Sequence, residues 1–266
     1  MKLNVKNYRE ILKAFDLPSF WEDQLKTKNL RNKGVALRIL DDISENASSI
    51  AISGKAGEND DNLRKHAKSI FMKFDSNDAF RFLEDDFDKD FNAFDAVRIH
   101  DALKERSKTK LLPLLIRWVS SAKNESFKSF LIQEIGYFKQ KESAEQLVET
   151  FQNSSSIIIK SQIAKTLGMI DYKKSIPMLI DAYNYNSFEV QNSIIYAMGD
   201  FGDIEALDFL ERIYRQSHNK ETQIKILHNI HLIDKTGTVF EKLKKNSASE
   251  FETSIFEYIE QGHSVR

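Results

Sequence analysis

The chain has 266 residues, and its 39 basic and 40 acidic side chains leave a net charge of -1. This balance removes the simplest argument for nucleic-acid binding, which is a globally basic surface. The absence of cysteine excludes a disulfide framework and a thiolate metal site, and the longest apolar stretch, Leu111 to Ile116, is too short to span a bilayer. We therefore expect a cytoplasmic protein, or the cytoplasmic portion of a membrane-anchored one.

The first 29 residues predict an N-terminal helical cap made of two short helices, Tyr8 to Phe15 and Ser19 to Leu25. Residues 30–245 predict a solenoid, and 30–43 have the pattern of the second helix of a degenerate first repeat. Residues 44–62 interrupt the solenoid because they are small, polar and rich in turn formers, so we expect an irregular loop or a poorly formed helix. Residues 246–266 predict a C-terminal capping helix and tail.

A period of 32 residues dominates the middle of the chain. One ladder of apolar residues follows it, with a final interval of 31: Leu83, Leu115, Leu147, Leu179 and Leu210. A second ladder follows the same intervals: Phe71, Leu103, Ile135, Leu167, Met198 and Ile230. A period of this length is typical of one supersecondary unit stacked into a solenoid.

Each period predicts two helices. Ile176, Leu179 and Tyr183 recur on one face of a first helix, and Phe188 to Met198 form a second amphipathic run. Gly199 follows this run, where the end of a helix favours a residue that can adopt a positive φ. Gly136 and Gly168 occupy the same position in the two preceding units.

The stretch Thr166 to Ala182, followed by Val190 and by Ala197 to Asp203, resembles the HEAT repeat. More narrowly, it is similar to the short HEAT-like units first noted in phycobilisome lyases. The resemblance extends over about residues 63–240. It implies an all-α fold, a right-handed α-α superhelix of the HEAT or armadillo type with about six two-helix repeats. The units in which Met72, Lys104 and His231 replace the glycine are expected to turn differently.

Solenoids of this kind bind partners along the concave surface that their second helices line. Positions eight and three residues before the glycine position are expected to face that surface, because the core takes the positions nine, five and one residue before it. The predicted partner-binding residues are Arg64, Lys128, Gln133, Lys160, Lys165, Gln191, Tyr196, Gln223 and His228. The alternative is a structural ladder whose amides and amines bind neighbouring repeats or carbonyl groups.

Two other clusters, one acidic and one of histidines, give weaker indications of a binding site. The acidic run Glu84 to Asp90 could bind a cation, but its place on a first helix around Phe87 predicts side chains that point to solvent. His228 and His231 have the spacing of two metal ligands on a helix, without further donors at ligand spacing. We therefore expect no metal, no cofactor and no catalytic residue.

The regular array and the lack of reactive clusters favour a non-enzymatic scaffold that binds a protein partner, and we expect a monomer. The resemblance leaves two enzymatic alternatives open. One is a DNA glycosylase of alkylated duplex, in which Lys128, Lys160, Lys165 and Tyr196 would act with Asp101; the other is a bilin lyase, for which no specific residue stands out. The charged start of the chain also motivates a membrane-anchored full-length context.

Overall fold

The computed structural model describes residues 4–43, 49–247 and 249–262, and over these ranges the chain is helical with no strand. This confirms the predicted all-α architecture. The helices form two compact units. The N-terminal unit contains Met1–Pro113 with Ser121–Phe127, and the C-terminal unit contains Leu114–Ser120 with Lys128–Arg266. The predicted division into a cap, a solenoid and a C-terminal cap stays a prediction.

The N-terminal unit begins with the two short helices that the sequence predicts. Its helices are α1 (Val5–Ala14), α2 (Leu17–Gln24), α3 (Leu30–Ile43), α4 (Ser49–Ser53), α5 (Asp61–Phe74) and α6 (Ala93–Ser107), with a 3-10 turn at Arg81–Leu83. Of the segment predicted to be irregular, residues 44–48 lie outside the described residues. The short helix α4 follows them and buries Ile52 in the core. The apolar residues of α1, α2, α3 and α5 share that core, against which Trp21 packs.

The remaining helices alternate as first and second helices of successive repeats. The first helices are α7 (Ile116–Ser121), α9 (Ala144–Asn153), α11 (Ile176–Ala182) and α13 (Ala206–Gln216). The second helices are α8 (Glu125–Tyr137), α10 (Ile157–Met169), α12 (Phe188–Phe201) and α14 (Lys220–Ile233). The chain continues with α15 (Thr238–Lys245) and α16 (Glu250–Glu260).

Both apolar ladders form the core, as their period predicts. The five leucines of the first ladder are at most 1% exposed. The six residues of the second ladder are at most 4% exposed. Because successive repeats bury the same positions, apolar contacts within each compact unit run from one repeat to its neighbour, which is how a repeat protein obtains its stability.

The prediction that Gly199 ends its helix with a positive φ is wrong. Gly199 lies inside α12, and the left-handed residue at the end of that helix is Gly202, with a φ of 57°. The glycine positions instead allow neighbouring second helices to approach closely. A Cβ atom on Gly136 would lie 2.9 Å from Sδ of Met169 on the next second helix. A side chain there would force the Met169 side chain to move.

At the end of α5, where Met72 replaces the glycine, a side chain of the next helix forms hydrogen bonds with the backbone carbonyl groups. Arg106 of α6 is buried and donates hydrogen bonds to the carbonyl oxygens of Met72, Lys73 and Asp75, the last at 2.8 Å. The last carbonyl groups of a helix have no partner within that helix, so the guanidinium satisfies those of Met72 and Lys73. Burial lowers the pKa of Arg106.

Candidate partner-binding surface

The second-helix surface of the C-terminal unit is the side of α8, α10, α12 and α14 that carries the predicted binding residues. Two positions of each helix contribute to it, eight and three residues before the glycine position. The structure gives these two positions different roles.

The residues eight positions before the glycine brace the connections between helices. Nε2 of Gln191 donates to the carbonyl oxygen of Tyr183 at 3.0 Å, and Nε2 of Gln223 donates to that of Ser217 at 2.8 Å. Each amide therefore satisfies a carbonyl in the segment that leads into its own helix. For these two residues, the contacts are those of the structural ladder that the sequence left open as an alternative.

Lys160 holds the same position in α10. Its Nζ donates to Oδ1 of Asn186 at 3.2 Å and lies 5.4 Å from the centre of the Phe151 ring. Both partners are neutral, so the lysine is positioned without its charge being cancelled. Lys128, the equivalent residue of α8, is half-buried and forms no ion pair within the part of the chain that the structure describes.

The residues three positions before the glycine face outward. Gln133, Lys165 and Tyr196 are exposed, and His228 is half-buried. Tyr196 is 49% exposed, a large fraction for an aromatic side chain in the middle of a helix. These residues are therefore the members of the predicted set that a partner can reach most directly.

A groove brings three of the predicted residues together. Lys165 of α10, Tyr196 of α12 and His228 of α14 line a cavity of about 260 Å³. Ile195 and Leu232 add apolar surface to its walls. Three successive second helices thus contribute one predicted residue each to a single concavity.

The charges around the groove are unevenly distributed. Lys165 forms no ion pair among the described residues, whereas Lys225 pairs with Glu221 at 2.7 Å. Glu189 and Asp200 add negative charge along α12. A hydrogen bond from its own backbone N–H holds the pKa of Glu189 below its ordinary value, so the carboxylate is ionised at neutral pH.

Arg64, the predicted binding residue of the N-terminal unit, has a different environment. Its side chain is 14% exposed, and Nε lies 2.8 Å from Oδ2 of Asp88. It also pairs with Asp61 at 2.7 Å and donates to the carbonyl oxygen of Glu58 at 2.9 Å. These bonds tie the start of α5 to the loop before α6.

The acidic run from Glu84 does not form the predicted first helix, although Glu84, Asp85 and Asp90 are exposed, as expected. Only the 3-10 turn Arg81–Leu83 forms there, and Asp86 and Phe87 have positive φ values of 56° and 63°. Asp88 is buried. Burial alone would raise the pKa of its carboxyl, but hydrogen bonds from Arg64 and Lys68 outweigh that effect and hold the pKa well below its ordinary value.

The remaining candidates form no metal cluster in the described ranges, where no three His, Cys, Asp or Glu side chains lie close enough to hold an ion. The ring of His231 packs against Phe240, with 4.7 Å between ring centres. Asp101 pairs with Lys73 at 2.7 Å. No helix among the described residues combines the length and the apolarity that crossing a membrane requires.

Sequence reasoning missed part of the groove. Leu232 and Lys225 line it but belong to neither of the two repeat positions. They lie four residues after and three residues before His228, and residues at these spacings share one face of a helix. Extending the prediction to the helical neighbours of His228 would have found both.

Comparison with known proteins agrees with this architecture. Residues 144–230, which run from α9 into α14, match a family model described as HEAT repeats. No curated protein matches the chain. The matched segment contains Lys160, Lys165, Gln191, Tyr196, Gln223 and His228, and it therefore includes all three predicted residues that line the groove.

Proposed function

Because the chain is a HEAT-repeat protein, we propose that it is a non-enzymatic scaffold that binds a protein partner along the second-helix surface of its C-terminal unit. The groove beside Tyr196 is the observation that carries this proposal. Three consecutive second helices meet there, and each contributes a side chain from the same position of its repeat. A regular array of helices is suited to holding an extended partner across several repeats.

The exposed apolar groups supply the attraction. Tyr196 and Leu232 are 49% and 41% exposed, and both border the groove. Binding energy at protein interfaces concentrates in a few aromatic or charged residues that become fully desolvated, and tyrosine is among the most common of them. Tyr196 is therefore the residue that we expect to contribute most to partner binding.

The predicted residues divide into two groups under this proposal. Gln133, Lys165, Tyr196 and His228 contact the partner, and Lys128 adds positive charge. Arg64, Lys160, Gln191 and Gln223 hold neighbouring segments of the scaffold in place. We propose that the scaffold works as a monomer without a cofactor, in the cytoplasm or on the cytoplasmic side of a membrane.

Affinity capture from the source organism tests the proposal. Wild-type protein, the double variant Lys165→Glu/Tyr196→Ala and the control Asp181→Ala would be immobilised, and soluble and detergent-extracted lysates passed over each. Asp181 is exposed on the first helix α11, so its loss leaves the groove intact. We expect a protein that wild type and the control retain and the double variant loses.

Equal recovery of every captured protein on the double variant would contradict the proposal. Retardation of duplex DNA by wild type and its loss in the double variant would assign the surface to nucleic acid instead. A change of bilin absorbance on mixing with the protein would instead support the bilin-lyase alternative. Thermal unfolding of each variant would show that the fold is unchanged.

A further inference from the structure

The lysines of α8 and α10 leave positive charge uncompensated. Lys128, Lys160 and Lys165 have no carboxylate within ion-pair distance in the part of the chain described here, and Lys160 contacts only the neutral Asn186 and Phe151. Three other lysines of the same unit are paired: Lys173 with Asp203 at 2.9 Å, Lys225 with Glu221 at 2.7 Å and Lys242 with Glu211 at 2.9 Å. The α8–α10 side of the surface therefore attracts anions.

The packing of α8 against α10 holds these charges together. The hydroxyl of Thr166 donates to the carbonyl oxygen of Ile132 at 3.0 Å, and Gly136 lies against Met169. Lys128 and Lys160 occupy equivalent positions of these adjacent helices. Packed helices generally have axes about 8–10 Å apart, so one short segment of a partner can reach lysines on two neighbouring helices.

The α12–α14 side of the surface is apolar in its centre and acidic at its margins. Tyr196 and Leu232 flank the groove, and the buried Ile195 contributes to its wall. Glu189 and Asp200 line the same groove on α12. These carboxylates repel an acidic group that approaches from the α12 side, whereas the lysines attract one that approaches from the α10 side.

We infer that the occupant of this surface is an extended peptide segment with acidic residues beside one large apolar side chain. The apolar side chain enters the groove between Tyr196 and Leu232, and the acidic residues lie over Lys165 and Lys128. One interhelix distance of about 10 Å corresponds to about three residues of extended chain. An acidic residue over Lys165 therefore lies about three positions from the apolar anchor, and one over Lys128, one helix further along, lies about six positions from it. This inference rests on the proposed function.

Peptide selection tests this chemistry without knowledge of the native partner. Random short peptides displayed on phage would be selected on the immobilised full chain, and binders would be synthesised with a fluorescent label for anisotropy titrations. We expect enriched peptides in which Asp or Glu lies about three residues, and a second acidic residue about six residues, from Leu, Ile, Phe or Trp. Their affinity should fall as the salt concentration rises.

Variants then locate the binding site. We expect Lys128→Glu/Lys165→Glu to weaken the selected peptides by about tenfold or more, and Tyr196→Ala to weaken them comparably. The control Asp181→Ala should bind as wild type does. The charge-reversed double variant, used as a second bait, should lose the acidic preference because its surface no longer attracts carboxylates.

Three results would overturn the inference. The first is enrichment of basic or uncharged peptides that bind at Tyr196. The second is enrichment of acidic peptides whose affinity is unchanged by Lys128→Glu/Lys165→Glu and by Tyr196→Ala. The third is no enrichment at all. The proposed function is judged separately, by capture of a native partner through Tyr196. A native partner that binds there through a basic or folded surface would refute the peptide chemistry and leave the scaffold function standing.

Discussion

A side chain on Gly168 would begin 3.0 Å from the α-carbon of Ala197 on the next second helix. The same Cβ position is 3.2 Å from the carbonyl oxygen of Ala197, so the obstacle is backbone rather than a movable side chain. Helices α10 and α12 therefore pack as closely as their backbones allow. The groove lies beside this contact, since Lys165 comes from α10 and Tyr196 from α12.

Gly168→Ala should destabilise the protein. Alanine favours a helix over glycine by roughly 0.5–1 kcal/mol, but forcing a group into a packed contact typically costs about 1–3 kcal/mol. Gly34→Ala is the matched control, because Gly34 also lies within a helix and its Cβ would meet only Leu63 at an ordinary 3.7 Å. Chemical denaturation should show a loss of stability for Gly168→Ala and a gain for Gly34→Ala. Equal changes would contradict the packing argument.

The buried pair of Lys65 and Asp95 should be sensitive to the loss of one partner. Nζ of Lys65 lies 2.7 Å from Asp95 and 2.6 Å from the carbonyl oxygen of Asp90, and the two side chains are at most 5% exposed. Asp95→Ala should lower the free energy of unfolding by about 3–5 kcal/mol, because it leaves a buried cation without its counter-charge.

The control for this pair is Lys141→Ala, which removes a largely exposed pair with Asp171 at 3.9 Å. Such surface pairs contribute about 0–1 kcal/mol. Urea titrations of both variants would compare the two losses directly. A loss below 1 kcal/mol for Asp95→Ala would mean that the buried pair contributes little.

Asp88 should make the protein sensitive to acid. Its folded pKa lies below its ordinary value near 3.8, so its contribution is complete above the unfolded pKa and is lost as the pH falls towards the folded pKa. Melting temperatures measured between about pH 6 and 3 should fall most steeply below about pH 5. Asp88→Asn should be less stable at neutral pH and show a shallower decline. If the melting temperature of Asp88→Asn declined as steeply as that of wild type, Asp88 would be excluded as a source of the acid sensitivity.

Core and surface substitutions should separate stability from binding. Leu147→Ala and Leu179→Ala should each cost about 2–5 kcal/mol, because both side chains are fully buried and their removal opens a cavity. Lys165→Glu should change stability by no more than about 0.5 kcal/mol and still reduce partner capture. Thermal unfolding and capture assays on the same samples would show the separation. Loss of capture only in the leucine variants would mean that Lys165 has no part in binding.

The core was predictable from the sequence because buried apolar residues recur at the same position of each repeat. Leu147 and Leu179 occupy equivalent positions, so each supports the assignment of the other. The role of the glycines was not predictable in the same way. A glycine near a helix end can serve a positive φ or a close approach, and only the distance from Gly168 to Ala197 distinguishes these two uses.

The acidic run Glu84 to Asp90 shows where a prediction from local sequence pattern fails. Leu83 and Phe87 have helical spacing, but Asp88 binds Arg64, which lies 24 residues earlier in the chain. That long-range ion pair stabilises a turn with two positive φ values in place of a helix. The groove was partly predictable, since the repeat places Lys165, Tyr196 and His228 in register. The bracing contacts of Gln191 and Gln223 depend on carbonyl groups whose positions the repeat does not determine.

Site-specific photo-crosslinking in the living source organism tests the central claim most directly. A photoreactive phenylalanine derivative would replace Tyr196 in the groove or, as a control, Asp181 on the first helix of the same repeat. We predict a discrete protein adduct from position 196 after irradiation, absent from position 181 and lost when Lys128→Glu/Lys165→Glu is added. Adducts of the same identity from both positions, or none from position 196, would contradict the assignment of this surface to a protein partner.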